Sequence, residues 1–108
     1  NTRNFLIAES DGQIMGYASV FLPSAGGGAD LMTIAIHPDF RRQGIAKHLI
    51  EELERWAADR GADSMMLEVD FENQNAIALY TKLGYEKLNI RKNYYGYGRD
   101  AQIMRRGL

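Results

Sequence analysis

The sequence predicts a three-layer α/β sandwich on a mixed, mostly antiparallel sheet, with elements in the order β-β-β-α-β-α-β-β. Three observations carry that prediction. Two apolar runs flank an Asp11-Gly12 turn near the start of the chain. A wide apolar face then repeats through Ile45, Leu49, Leu53 and Trp56, directly after the apolar run Leu31-Met32-Thr33-Ile34-Ala35-Ile36. A further strand at Ser64–Asp70 completes a strand–helix–strand order, which a right-handed parallel crossover satisfies.

Taken in order, Phe5-Leu6-Ile7-Ala8 and the run from Ile14 to Leu22 read as strands. Ser10-Asp11-Gly12-Gln13 joins them as a hairpin turn, since Asp-Gly tolerates the positive φ angles such turns require. Pro23-Ser24-Ala25-Gly26-Gly27-Gly28 is a flexible loop. Its triple glycine opens no helix, so it reads as a solvated linker rather than a phosphate cradle. The run 31–36 is apolar on both faces, as an interior strand covered by helices should be. The turn His37-Pro38-Asp39 closes it, and the long helix after it ends near Gly61. A shorter helix starts at Asn73, carries Ala76, Ile77, Leu79, Tyr80 and Leu83, and stops at Gly84. Strands at 85–90 and 101–104 follow, with a long aromatic loop at 91–100 between them. Trp56 and the Met65-Met66 pair read as core.

At 108 residues the chain reads as one domain, 1–108, without internal repeats. Thirteen Lys+Arg against fourteen Asp+Glu give a net charge of −1, so Arg91, Lys92, Arg105 and Arg106 are not expected to bind nucleic acid. The absence of cysteine excludes disulfides, a thiol nucleophile and thiolate metal sites. Two histidines, His37 and His48, are too few and too badly spaced for zinc, and no metal is expected. No apolar run approaches the ~18–20 residues of a membrane span. Asn1-Thr2-Arg3-Asn4 does not resemble a signal peptide, so the default expectation is cytoplasmic.

The stretch Arg41-Arg42-Gln43-Gly44-Ile45-Ala46 lies between a strand and a helix. The first N–H groups of a helix lack internal partners and its dipole favours an anion, so a phosphate could sit here. Gly44 permits close approach to the backbone, and Ala46 keeps the entrance narrow. Charge patterning alone reads the two arginines as solvated surface. Glu68 interrupts Met65-Met66-Leu67 and Val69, where a carboxylate is costly unless solvated, paired or used. A strand-end carboxylate facing water is the plain alternative. Asn73 and Tyr80 are seven residues apart, about two helical turns, and share a face if the helix starts near Asn73. On residue types alone an N-cap for Asn73 and a core aromatic for Tyr80 are the better readings. His37 could be a base, but a helix-entry turn residue is the better reading.

Two stretches together resemble the GNAT N-acetyltransferase superfamily. Arg41, Gly44 and Ala46 match its Arg/Gln-x-x-Gly-x-Gly/Ala pyrophosphate loop. Leu67-Glu68-Val69, Asn73, Ala76-Ile77-Ala78-Leu79-Tyr80 and Leu83-Gly84-Tyr85 are similar to its C-terminal half. More narrowly these residues resemble the RimI-like group, the ribosomal-protein N-terminal-alanine acetyltransferases. Ile90-Arg91-Lys92-Asn93-Tyr94-Tyr95 and Arg99-Asp100-Ala101-Gln102-Ile103-Met104 extend the likeness into that group's final hairpin.

The resemblance implies transfer of an acetyl group from acetyl-CoA to an amine, most narrowly a protein N-terminal α-amine. It implies that Glu68 is the general base and Tyr80 the general acid, and that Asn73 and Tyr80 also contact the cofactor. Backbone around Ile34 and Ile36 would meet pantetheine and the acetyl carbonyl, with the Ile36 N–H as oxyanion donor. Arg41, Arg42, Gln43, Gly44, Ile45 and Ala46 would hold the pyrophosphate, and Tyr94 and Tyr95 would flank the acceptor peptide, ribosomal protein included. The rivals are a small-amine or lysine acetyltransferase and, from another class, a catalytically weak CoA-binding or assembly module. Family members carry a strand and two helices ahead of the position of Phe5, and this sequence does not. The sequence therefore reads as a fragment, as a truncated homologue, or as a chain whose acceptor wall is expected from a homodimer or a complementing segment.

Overall fold

The computed structural model describes residues 2–24 and 26–108; Asn1 and the loop residue Ala25 lie outside them. It is an α/β fold with a mixed, open sheet of six strands in the order β1-β2-β3-β4-β6-β5. The strands are β1 (Arg3–Ser10), β2 (Gln13–Phe21), β3 (Gly28–Ile36), β4 (Ser64–Asp70), β5 (Glu86–Arg91) and β6 (Ala101–Gly107). The helices are α1 (Ile45–Asp59) and α2 (Gln74–Lys82), and a single 3-10 turn occupies Pro38–Phe40. No helix among the described residues is long and apolar enough to cross a membrane. Contacts cluster into two compact units, Asn1–Met65 with Leu108, and Met66–Gly107.

In the first unit β1, β2 and β3 form an antiparallel meander. The β1–β2 turn has Asp11 at φ 51° and Gly12 at φ 77°, the paired left-handed residues that let two strands reverse without splaying. α1 packs on the face formed by the alternate residues Ala18, Val20 and Leu22 of β2 and its continuation, together with Ala29 and Leu31 of β3. From the helix Leu49, Ile50, Leu53 and Ala57 meet them. Burial of each large aliphatic among these contributes about 1.5–3 kcal/mol. α1 stops in a glycine cap: Gly61, at φ 88°, donates to Ala58, and Ala62 donates to Ala57.

The other face of the meander is bare. Phe5 and Ile7 of the terminal strand β1 are 56% and 53% exposed, and Tyr17, stacked on Phe5 at 5.7 Å, is also exposed. β3 departs from the doubly covered strand that its composition predicts. Ser19 pairs with Thr33 and Val20 with Leu31, so Met32 is the extra residue of a bulge, and it is 56% exposed. β3 also starts at Gly28, inside the stretch that reads as loop.

The second unit contains the rest of β4, α2, and the antiparallel pair β5–β6. Leu67, Val69, Tyr80, Tyr85, Ala101 and Met104 are its buried apolar residues. α2 ends as α1 does: Gly84, at φ 97°, donates to Thr81, and Tyr85 donates to Tyr80. Tyr85 is therefore the residue that closes the helix rather than the start of a strand. Its ring meets that of Tyr80 edge-on, with centroids 6.1 Å apart.

Candidate active site

The basic loop of the first unit is built around two positive-φ residues. Arg42 lies at φ 64° and Gly44 at φ 77°, with Gln43 between them outside the left-handed region. Alternation of this kind turns successive N–H groups towards one concavity, where they can share an anion. Gly44 is the N-cap of α1 and has no side-chain hydrogen bond to offer, and the first turn holds no acidic residue. Most helices place a carboxylate or hydroxyl there. Here Lys47 and His48 lie in that turn instead, and an added side-chain carbon on Gly44 would meet nothing within 4 Å. A phosphate group fits both the donors and the open space. Arg41 bends back so that its Nε donates to the Ile36 carbonyl at 3.4 Å. Asp39 N–H donates to His37 Nδ1 at 3.1 Å, so His37 caps the 3-10 turn.

Upstream of that loop, the β2–β3 ladder decides which backbone groups of β3 are used. The His37 N–H donates to the Met15 carbonyl at 2.8 Å, and Gly16 pairs with Ile36. Donors alternate sides in an antiparallel ladder, so the N–H groups of Ile34 and Ile36 point away from β2.

The ionisable cluster belongs to the second unit. Glu68 projects from the exposed side of β4 between the buried Leu67 and Val69. It is partnered, not simply solvated: Arg91 Nη1 lies 3.4 Å from its Oε1, with one third of the Glu68 side chain exposed. Arg91 also sits over the Tyr94 ring, 4.5 Å from its centroid. Glu68 pushes the Tyr94 pKa up, first as a hydrogen-bond acceptor for the phenol and then through its charge. Tyr95 meets Tyr94 edge-on at 5.0 Å; its own pKa is raised, first by burial and then by the Glu68 charge. Tyr80 is almost fully buried, and burial, followed by the nearby Tyr95, raises its pKa as well. Glu68, Tyr80, Tyr94 and Tyr95 thus form one linked group.

Asn73 takes the plainer of its two roles. Its Oδ1 accepts from the Ala76 N–H at 3.2 Å as the N-cap of α2, which leaves its amide nitrogen exposed to solvent. The aromatic loop is held by polar bonds that its sequence does not advertise. Asp70 pairs with Arg99 and accepts from the Glu72 N–H; the Glu72 bond first, and Arg99 with it, hold the carboxyl below its ordinary pKa. Asp100 accepts from the Asn93 N–H at 2.9 Å, and Asn93 Oδ1 accepts from the Gly98 N–H at 2.7 Å.

Arg91 is the functional candidate that sequence reading overlooks, naming it only among the cations not expected to bind nucleic acid and as part of the final hairpin. The available signal was the spacing Arg91-x-x-Tyr94 beside a strand carboxylate in need of a partner. Asp70 and Arg99 gave no comparable signal, being 29 residues apart.

Comparison with known proteins gives a consistent result. The family model for the acetyltransferase (GNAT) family matches residues 1–85. The [ribosomal protein bS18]-alanine N-acetyltransferase of Escherichia coli K12 is 46% identical over 71 residues, which cover 62% of this chain and 45% of that protein. An N-alpha-acetyltransferase of Saccharolobus solfataricus is 35% identical over 115 residues, covering 96% of this chain and 69% of the relative. The crystal structure of the ribosomal-protein-S18-alanine N-acetyltransferase from Escherichia coli superposes with a TM-score of 0.86 at 33% identity, covering 98% of this chain and 69% of that one. The chain thus spans under half of the first of these relatives and about two thirds of the others.

Proposed function

Because the chain belongs to the GNAT acetyltransferase family, we propose that it transfers an acetyl group from acetyl-CoA to the N-terminal α-amine of a protein. The observation that carries the chemistry is Glu68, a carboxylate raised from an apolar strand into a group of tyrosines. An amine attacking a thioester must lose a proton, and Glu68 is the acceptor for it, directly or through a water. The choice of amine follows from proton affinity. An α-amine has a pKa of about 7.7–8.0 and lysine about 10.4, so lysine costs about 3.4 kcal/mol more to deprotonate. A single carboxylate suffices for the first and is weak help for the second.

Acetyl-CoA supplies the acyl thioester, and the backbone of 42–46 holds its pyrophosphate, supported by the positive φ of Arg42 and Gly44 on either side of Gln43 and by a helix start without a side-chain cap. Asn73 offers its amide nitrogen to the pantetheine arm, and the Ile36 N–H, which points away from β2, is the candidate donor to the carbonyl charge. Tyr80 gives a proton to the departing thiolate. With its pKa raised above the usual ~10, this transfer to a thiolate of ~8.5 runs uphill, so Tyr80 assists the step without dominating it. Tyr94 and Tyr95 flank the acceptor. Names of the relatives favour a ribosomal protein N-terminus as that acceptor.

The test is acetyl transfer to short peptides beginning Ala or Ser, beside calorimetric titration with CoA. Glu68→Gln should bind CoA as the wild type does and turn over about 10²-fold more slowly. Wild-type turnover in that variant would remove Glu68 from the chemistry. Binding of CoA without transfer to any peptide would favour the binding-module reading instead.

A further inference from the structure

We propose that Arg91 is a positioning residue that also sets amine selectivity: it lies between the Glu68 carboxylate and the Tyr94 ring, fixes both, and offsets the carboxylate's charge, so that readily neutral amines are preferred over cationic ones. The inference rests on the acetyl-transfer reading of Glu68. Two contacts meet at Arg91: it reaches Glu68 at 3.4 Å and covers the Tyr94 ring at 4.5 Å. Arg91 therefore orients the carboxylate beside Tyr94 while leaving it lone pairs for an incoming proton.

The charged and titratable neighbours are few. Tyr94 and Tyr95 face Glu68 from the aromatic loop, and Asp70 on β4 is taken up by Arg99. Among the described residues Arg91 is the cation that pairs with Glu68. Without it, Glu68 would present a lone negative charge to the acceptor. Such a charge attracts a lysine ammonium as an ion pair and raises its occupancy beside the base that must take its proton. With Arg91 present that attraction is largely cancelled. An α-amine, which is partly neutral near pH 7, loses little by this, whereas lysine loses its main reason to bind. The Arg91 side chain is 52% exposed, so water screens the pair and the effect is a matter of several-fold.

The experiment measures kcat and KM for two peptides on the wild type, Arg91→Gln and Arg91→Lys. One peptide has a free N-terminal Ala and no lysine; the other has a blocked N-terminus and one lysine. In Arg91→Gln the selectivity ratio for the α-amine should fall about three- to fivefold, through a lower KM for the lysine peptide, with CoA affinity unchanged. Arg91→Lys, which keeps the charge, should restore the ratio. Where wild-type transfer to lysine is below detection, its appearance in Arg91→Gln is the expected result. An unchanged ratio, with both rates reduced together, overturns the inference and leaves the acetyl-transfer reading standing. Failure of the wild type to acetylate either peptide overturns both.

Discussion

Replacing Gly44 by Val separates the fold of the phosphate loop from its binding. Gly44 sits at φ 77°, where a β-branched residue is strained, so Gly44→Val should cost about 1–2 kcal/mol of stability. Nothing lies within 4 Å of the added carbon, so no clash inside the protein enlarges that cost. The same empty space is where a pyrophosphate would meet the backbone. A valine there would displace at least one charge-assisted hydrogen bond, worth about 1.5–3 kcal/mol. CoA affinity should then fall about 10- to 150-fold. The structure supplies a matched control in Gly12, which has the same φ of 77° and equally empty surroundings in the β1–β2 turn. Gly12→Val should lose similar stability and bind CoA normally. Urea denaturation gives the first quantity and calorimetric titration the second. A folded Gly44→Val that binds CoA as tightly as Gly12→Val would refute the assignment of this loop.

Two further outcomes are expected. Tyr80 has a folded pKa above its unfolded value, so its contribution to stability is complete below about 10 and is lost as pH rises through the folded pKa. Tyr80→Phe should flatten the fall in urea midpoint as pH rises above about 10, and should slow transfer from acetyl-CoA more than from activated thioesters whose leaving group needs no proton. Asn73→Ala should destabilise by about 1 kcal/mol through loss of the α2 cap, whereas Asn73→Asp should keep that stability; equal midpoints for the two variants would show that the cap contributes nothing.

Local chemistry was legible in the sequence, and non-local pairing was not. Asp11-Gly12, Gly61 and Gly84 each announce a backbone conformation that few other residues adopt cheaply, and each occupies it, while Asn73 announces a side-chain cap and supplies it. The apolar period of α1 likewise identified its buried face. Arg42 could not be read this way, because nothing about an arginine signals a positive φ. Met32 reads as core by type, and only the register of β2 against β3 puts it in a bulge. Glu68 was conspicuous by its cost, yet its partner is 23 residues away and reaches it through strand pairing. A carboxylate in an apolar strand shows that a partner or a purpose is needed; it does not say which cation will arrive.

The bonding of the aromatic loop bears on the thermodynamics of whatever it touches. Asn93, Gly96 and Gly98 all hold positive φ, and Asn93 is tied by its amide to Asp100 and by its side chain to Gly98. Tyr95 and Arg99 are joined across the loop through their backbone, and Phe71 donates to Asp100 from outside it. The conformational entropy of this segment is therefore surrendered when the chain folds, ahead of any encounter. A ligand proposed to reach Tyr94 and Tyr95 would meet a loop backbone already in place. Its association should carry a small entropy penalty and be governed by how fast it leaves rather than by how long the loop takes to close.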